Sequence, residues 1–261
     1  MIQFVYPGGK KRVVTFSYDD GSENDARLIA LFNQYGVKAT FHLIGSRLLG
    51  KDAQKLRSMY AGHEVASHTL THGWLDRMPA QSVASEITED RKVLENIFGY
   101  PIVGMSYPNG CYNAEVIATV KACGILYSRT VVNTNRFSLP EEFLQWNPTC
   151  HHKDALPLCE TFLQGIDSEY RQPMLYIWGH SHDLRTEEDW FYMETLLKKL
   201  SGSEKIWYAT NIDIYNYMTA FRRLQVSADE TVFYNPSDIP VWVERNKVEI
   251  LEIPAGKTVR L

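Results

Sequence analysis

Apolar runs of strand length alternate with segments of helical period along most of this chain, and no other feature narrows its fold as much. Residues 11–18 (KRVVTFSY) read as a first strand. Residues 24–35 then place Ala26, Ile29, Ala30 and Phe32 on one helical face before Gly36 stops the helix, and residues 38–44 (KATFHLI) read as the second strand. The same alternation continues. Strands are expected at 64–67, 102–107, 127–131, 174–178 and 205–210, and helices near 51–61 and over 81–98, 113–123, 156–164, 187–200 and 212–224. Such repeated βα units give a parallel sheet or barrel with its helices outside. From Val226 the texture changes to short β-type runs (TVFYN, PVWVER, VEILEIP, TVRL) broken by Pro and Gly. Residues 1–224 are therefore expected as an α/β barrel domain, and residues 225–261 as a small β-rich extension packed on it.

The 261 residues and 44% hydrophobic content suffice for one sizeable core. A formal charge of −4 lacks the clustered basic excess that phosphate backbones require, so nucleic acid is not an expected partner. Cys111, Cys123, Cys150 and Cys159 have no CxxC spacing and read as ordinary thiols. No run of 18 apolar residues occurs and residues 1–16 carry no export signal, so no membrane span is expected and the expected compartment is the cytoplasm. Most of the six Trp and fifteen Tyr read as packing, with a minority available as sugar-stacking platforms.

Two short stretches carry the chemistry. In SHTLTH, His68 and His72 are spaced i,i+4, within reach of one divalent ion whether the segment is helical or a tight turn. Taken alone, the spacing fits hydrogen-bonded histidines equally well. Asp19 and Asp20 close the first strand before Gly21. Alone, DDGS before a helix reads first as a turn-and-cap cluster.

In combination they say more. VTFSYDDG, ATFHLIG and EVASHTLTH, in that order, resemble the polysaccharide deacetylases of carbohydrate esterase family 4, the NodB-type domain, over roughly residues 11 to 220. The resemblance implies a distorted (β/α) barrel, usually seven-stranded. It implies a metal held by Asp20, His68 and His72, with zinc expected and cobalt or nickel as alternatives, and Asp19 as general base. The implied reaction is removal of an acetyl group from an acetylated oligo- or polysaccharide by a metal-activated water.

The sequence departs from the family at its third motif, RxPY, which here is Ser106-Tyr107-Pro108-Asn109. The arginine that would pair with the base is Ser106. Asp19 is thus expected to lose ion-pair support and to have its pKa raised, with Arg136 or Lys153 as substitutes. Tyr107, Pro108 and the Asn109 backbone N–H are expected to line the substrate or oxyanion site. The fourth motif has no clean match; Trp146 is expected in the cleft wall and His152 as an accessory residue. The fifth motif matches LYIWGHSHD, with His180 expected as the acid, His182 as an orienting residue and Trp178 against the acetyl group. His42 reads as a hydrogen-bonded core residue. Alternatives are a carbohydrate-binding barrel that has lost turnover, and a C–N hydrolase acting on a cyclic amide or imide.

Overall fold

In the computed structural model, which describes residues 2–164 and 172–261, the expected units assemble into one curled parallel sheet. Its strands run in the order Tyr127–Arg129, Gly104–Ser106, Glu64–Ser67, Ala39–Leu43, Arg12–Asp20, Met174–His180 and Cys150–His151, and Ile206–Tyr208 pairs in addition with Arg12–Asp20. Every pairing is parallel, and the architecture is the distorted (β/α) barrel. The central strand, Arg12–Asp20, is buried along almost its whole length, on both of its faces.

Alternation along that strand sorts its residues. Phe16 and Tyr18 pack outward with Leu28, Phe32, Phe41 and Met193 beneath the helices Asp25–Gln34 and Glu187–Leu200. Thr15, Ser17 and Asp19 take the opposite face, inside the barrel, and all three are buried. That interior is hydrogen-bonded. Thr15 donates to Asn211 at 2.9 Å, and Thr40 and Tyr127 donate to Glu64 at 2.8 and 2.7 Å. The helix Asn211–Arg222 closes the set from its N-terminus, its Ile212 N–H donating to Glu64 at 2.9 Å. Burial pushes the Glu64 carboxyl up to about 7 against these bonds.

Two small antiparallel sheets make up the extension. Val232–Tyr234 lies between Gln225–Val226 and Thr258–Arg260, and Val241–Arg245 lies between Glu249–Ile253 and Ile2–Val5, so the chain's first strand pairs with its last segment. Phe233, Val243 and Ile253 form the shared core. The Tyr217 hydroxyl ties this layer to the barrel, donating to the Val5 carbonyl at 2.7 Å and accepting from the Trp242 N–H at 3.0 Å.

Candidate metal centre and its charged surroundings

The common direction of the parallel strands brings their C-terminal ends to one mouth, and the chain bends sharply there. Asp20 has φ +77°, Thr69 +63°, His72 +62° and Asn109 +55°, four of the eight non-glycine residues with positive φ among the described residues. Strained backbone collected at one place is characteristic of functional sites. Neighbours on a strand point to opposite faces, but the turn at Asp20 and Gly21 swings Asp20 to the mouth while Asp19 stays on the inner face.

Asp20, His68 and His72 converge. Asp20 Oδ1 is 3.7 Å from His68 Nε2 and 3.6 Å from His72 Nε2, and it is buried without a hydrogen-bond partner. A buried carboxylate oxygen left unpaired is costly, and a cation removes that cost. Two donors each about 2.1 Å from a tetrahedral ion stand roughly 3.4 Å apart, close to these separations. His68 is prepared for such a role: its Nδ1–H donates to the Ser106 carbonyl at 3.0 Å, which leaves the Nε2 lone pair free. Burial, partly opposed by Asp19, pulls its pKa down to about 4, so the ring is neutral at neutral pH. The donor set fits a divalent metal ion.

Asp19 corrects the sequence-based expectation of a stranded base. Its Oδ2 is paired with Nη2 of Arg129, a fully buried residue. Its Oδ1 accepts from the Ser106 hydroxyl at 3.0 Å and lies 3.2 Å from His42 Nδ1. Burial alone would raise the carboxyl; Arg129 first, then His68 and His42, outweigh it and hold the carboxyl well below the usual carboxylate range, the reverse of the expected shift. Neither Arg136 nor Lys153 takes this role. Arg129 is the cross-strand register partner of Ser106, so the guanidinium comes from the next strand at the same level of the barrel. The indole of Trp178 covers it, with Arg129 Cζ 4.5 Å from the ring centroid, and donates from Nε1 to Asn133 Oδ1 at 2.7 Å.

Opposite lies a second group. His180 ends its strand as the register partner of Asp19, and its Nδ1 is 3.6 Å from Asp183 Oδ2. His182 stacks on His180 with centroids 4.9 Å apart and brings Nδ1 to 3.9 Å from Asp20 Oδ2. The turn carrying these residues is held by Asn24, whose Nδ2 donates to the carbonyls of Ser181 and Leu184 at 3.1 Å, and by the Ser181 hydroxyl on Asp25.

Other expected residues fall elsewhere. Pro108 is buried in the turn that leaves Asn109 exposed at the rim. Tyr107 alternates away from Ser106 into the core, where its hydroxyl donates to the Leu144 carbonyl at 2.8 Å. Trp146 is fully buried among Tyr127, Phe143 and Tyr176, which leaves no ring face for a sugar. His152 is likewise buried, stacked on Tyr18 with its pKa drawn down to about 3 by burial, and it is His151 that reaches the mouth. The His152 ring lies against Gly179, where an added Cβ would stand 2.2 Å from its Nδ1. Gly179→Ala is therefore expected to cost about 1–3 kcal/mol by overpacking, read as a lower midpoint in thermal unfolding; an unchanged midpoint would show that the ring can move aside.

Sequence reasoning missed Arg129, His151 and Asp183. One signal for the first was present: an arginine within a strand expected to be buried needs a counter-charge there.

The comparisons with known proteins agree with this picture. Residues 7–128 match the family model described as polysaccharide deacetylase. YxkH of Bacillus subtilis (strain 168) is 29% identical over 119 residues, 44% of this chain and 43% of that protein. The peptidoglycan-N-acetylglucosamine deacetylase PgdA of Listeria monocytogenes serotype 1/2a (strain 10403S) is 28% identical over 105 residues, 40% of this chain and 22% of PgdA. The matches thus span less than half the length of either relative. Among solved structures, a family 4 acetyl xylan esterase from Clostridium thermocellum, in complex with a cobalt ion, superposes with a TM-score of 0.54 at 19% identity, covering 78% of this chain and 90% of the esterase, a likeness of fold. With the ordered motifs, the barrel and these relatives in agreement, residues 7–128 are similar to the polysaccharide deacetylases, and the fold is like that of a family 4 acetyl xylan esterase.

Proposed function

We propose that this barrel is a metal-dependent hydrolase that removes acetyl groups from an N- or O-acetylated oligo- or polysaccharide. The observation that carries the reading is the buried Asp19–Arg129 pair beside the Asp20, His68 and His72 donor set. Zinc is the favoured ion, since two imidazoles and a carboxylate suit it and leave a position open. When bound, such an ion supplies Lewis-acid polarisation and a water of lowered pKa.

The chain's own groups supply the rest. Asp19 takes the proton of the attacking water; its second oxygen stays on Arg129, which fixes the carboxylate's orientation. As the water oxygen bonds to the acetyl carbon and the carbonyl electron pair moves to its oxygen, the Asn109 backbone N–H donates to the developing oxyanion. His180, with Nδ1 toward Asp183, gives a proton from Nε2 to the departing nitrogen or oxygen as the acyl bond breaks. Arg129 gives the base the cation that Ser106 does not supply, which supports turnover over a barrel that only binds carbohydrate.

The decisive measurement is acetate release from a panel of acetylated oligosaccharides and simple acetyl esters with Zn²⁺ or Co²⁺ present, alongside cyclic amides and imides followed by ring opening. Acetate release is the expected result. Bound metal with no release from any acetylated compound overturns the deacetylase reading, and ring opening in its place supports the cyclic-amide alternative.

A further inference from the structure

His151, His180 and Asp183 lie outside the donor set described above, yet their geometry resembles it. His151 Nε2 and His180 Nδ1 both face one oxygen, Asp183 Oδ2, at 3.4 and 3.6 Å, and one donor atom from each of the three residues lies within 4.8 Å of the others. These separations are long for N–H···O bonds, which centre near 2.9–3.0 Å. They match the roughly 3.4 Å expected between two ligands of one tetrahedral ion. The three side chains come from two strand ends and the pinned turn Ser181–Asp183, and each is partly exposed, at 16% for His151, 28% for His180 and 19% for Asp183.

We propose that His151, His180 and Asp183 form a second site for an imidazole-preferring divalent cation such as Zn²⁺, Co²⁺ or Ni²⁺, which fills after the Asp20 site and, once filled, withholds His180 from proton transfer. The order of filling follows from the state of the imidazole donors, since each carboxylate has a cation beside it, Lys153 Nζ at 3.5 Å from Asp183 Oδ1 and Arg47 Nη1 at 4.0 Å from Asp20 Oδ2. The Lys153 backbone N–H donates to His151 Nδ1 at 3.3 Å, which favours the tautomer with its proton on Nε2, so loading that nitrogen requires moving the proton and giving up the bond. By contrast, His68 at the Asp20 site already has its Nδ1–H donated and its Nε2 lone pair free. The two sites are neighbours, joined through the stacked pair His180 and His182. Cation binding at the second site stands by itself; only its inhibitory consequence rests on the proposed deacetylase reading.

Equilibrium dialysis against Zn²⁺, with metal analysis of the retained protein, tests it on the intact chain. The parent is expected to bind in two steps, the second weaker by roughly tenfold or more. His151→Ala should keep the tight step and lose the weak one, Asp183→Asn should do the same, and His72→Ala should lose the tight step and keep the weak one. Thermal unfolding of each variant checks that it is folded. A single step in the parent, or a second step that survives both His151→Ala and Asp183→Asn, overturns the proposal. Acetate release should rise with the first equivalent and fall with the second in the parent, and should not fall in His151→Ala. If two steps are measured and no loading state releases acetate, the second site stands and the deacetylase reading fails.

Discussion

Replacing Asp19 by Asn is expected to lower acetate release by about 10²- to 10⁴-fold while metal stays bound, because the amide keeps the carboxylate's shape and cannot take a proton. The proposed metal donors are a separate set: Asp20 would supply the orphaned Oδ1, and His68 and His72 would supply Nε2. Asp20→Ala should therefore remove the metal itself, and activity with it. Asp19→Asn also leaves the Arg129 guanidinium buried without its counter-charge, so a stability loss of roughly 3–5 kcal/mol accompanies it. Rates must accordingly be read well below the unfolding midpoint, with bound metal measured on the same samples. Turnover retained in Asp19→Asn would place the base elsewhere, and full metal binding in Asp20→Ala would sink the ligand assignment.

Arg129→Ser should be damaging for the complementary reason and should be repairable. It strands Asp19, a buried carboxylate whose pairing with the guanidinium outweighs its burial penalty, at an expected cost of about 3–5 kcal/mol in stability. Because Ser106 and Arg129 are register partners on adjacent parallel strands, adding Ser106→Arg to Arg129→Ser returns a guanidinium to the same level of the barrel. The double variant is expected to recover most of the lost stability and turnover. No recovery would show that the direction of approach matters as much as the charge. Acid titration provides a further reading. The folded Asp19 carboxyl has a depressed pKa, so its contribution to stability is present above the unfolded value near 3.9 and is lost as pH falls through the lower folded value. Without Arg129 that protection disappears, and Arg129→Ser should unfold at a higher pH than the parent during acidification, followed by circular dichroism.

The alternation of apolar runs and helical segments was enough to give the parallel barrel, since each buried strand must be flanked by parallel neighbours and covered by helices. The ordered motifs singled out Asp20, His68 and His72 because all three lie in short local stretches whose turns are written in the residues themselves, with Gly21 following Asp20 and the two histidines one turn apart. Tertiary structure decided everything that depends on which strand lies beside which. The Asp19–Arg129 pair joins residues 110 positions apart through strand register, which no local pattern encodes. The pairing of Ile2–Val5 with Val241–Arg245 is likewise invisible until the chain folds back on itself. Packing alone sent Tyr107 and Trp146 into the core and brought His151, in place of His152, to the mouth, where it meets His180 and Asp183. Local sequence specifies turns and donors, whereas the environment that sets the charge on Asp19 is built from neighbours that only the closed sheet brings together.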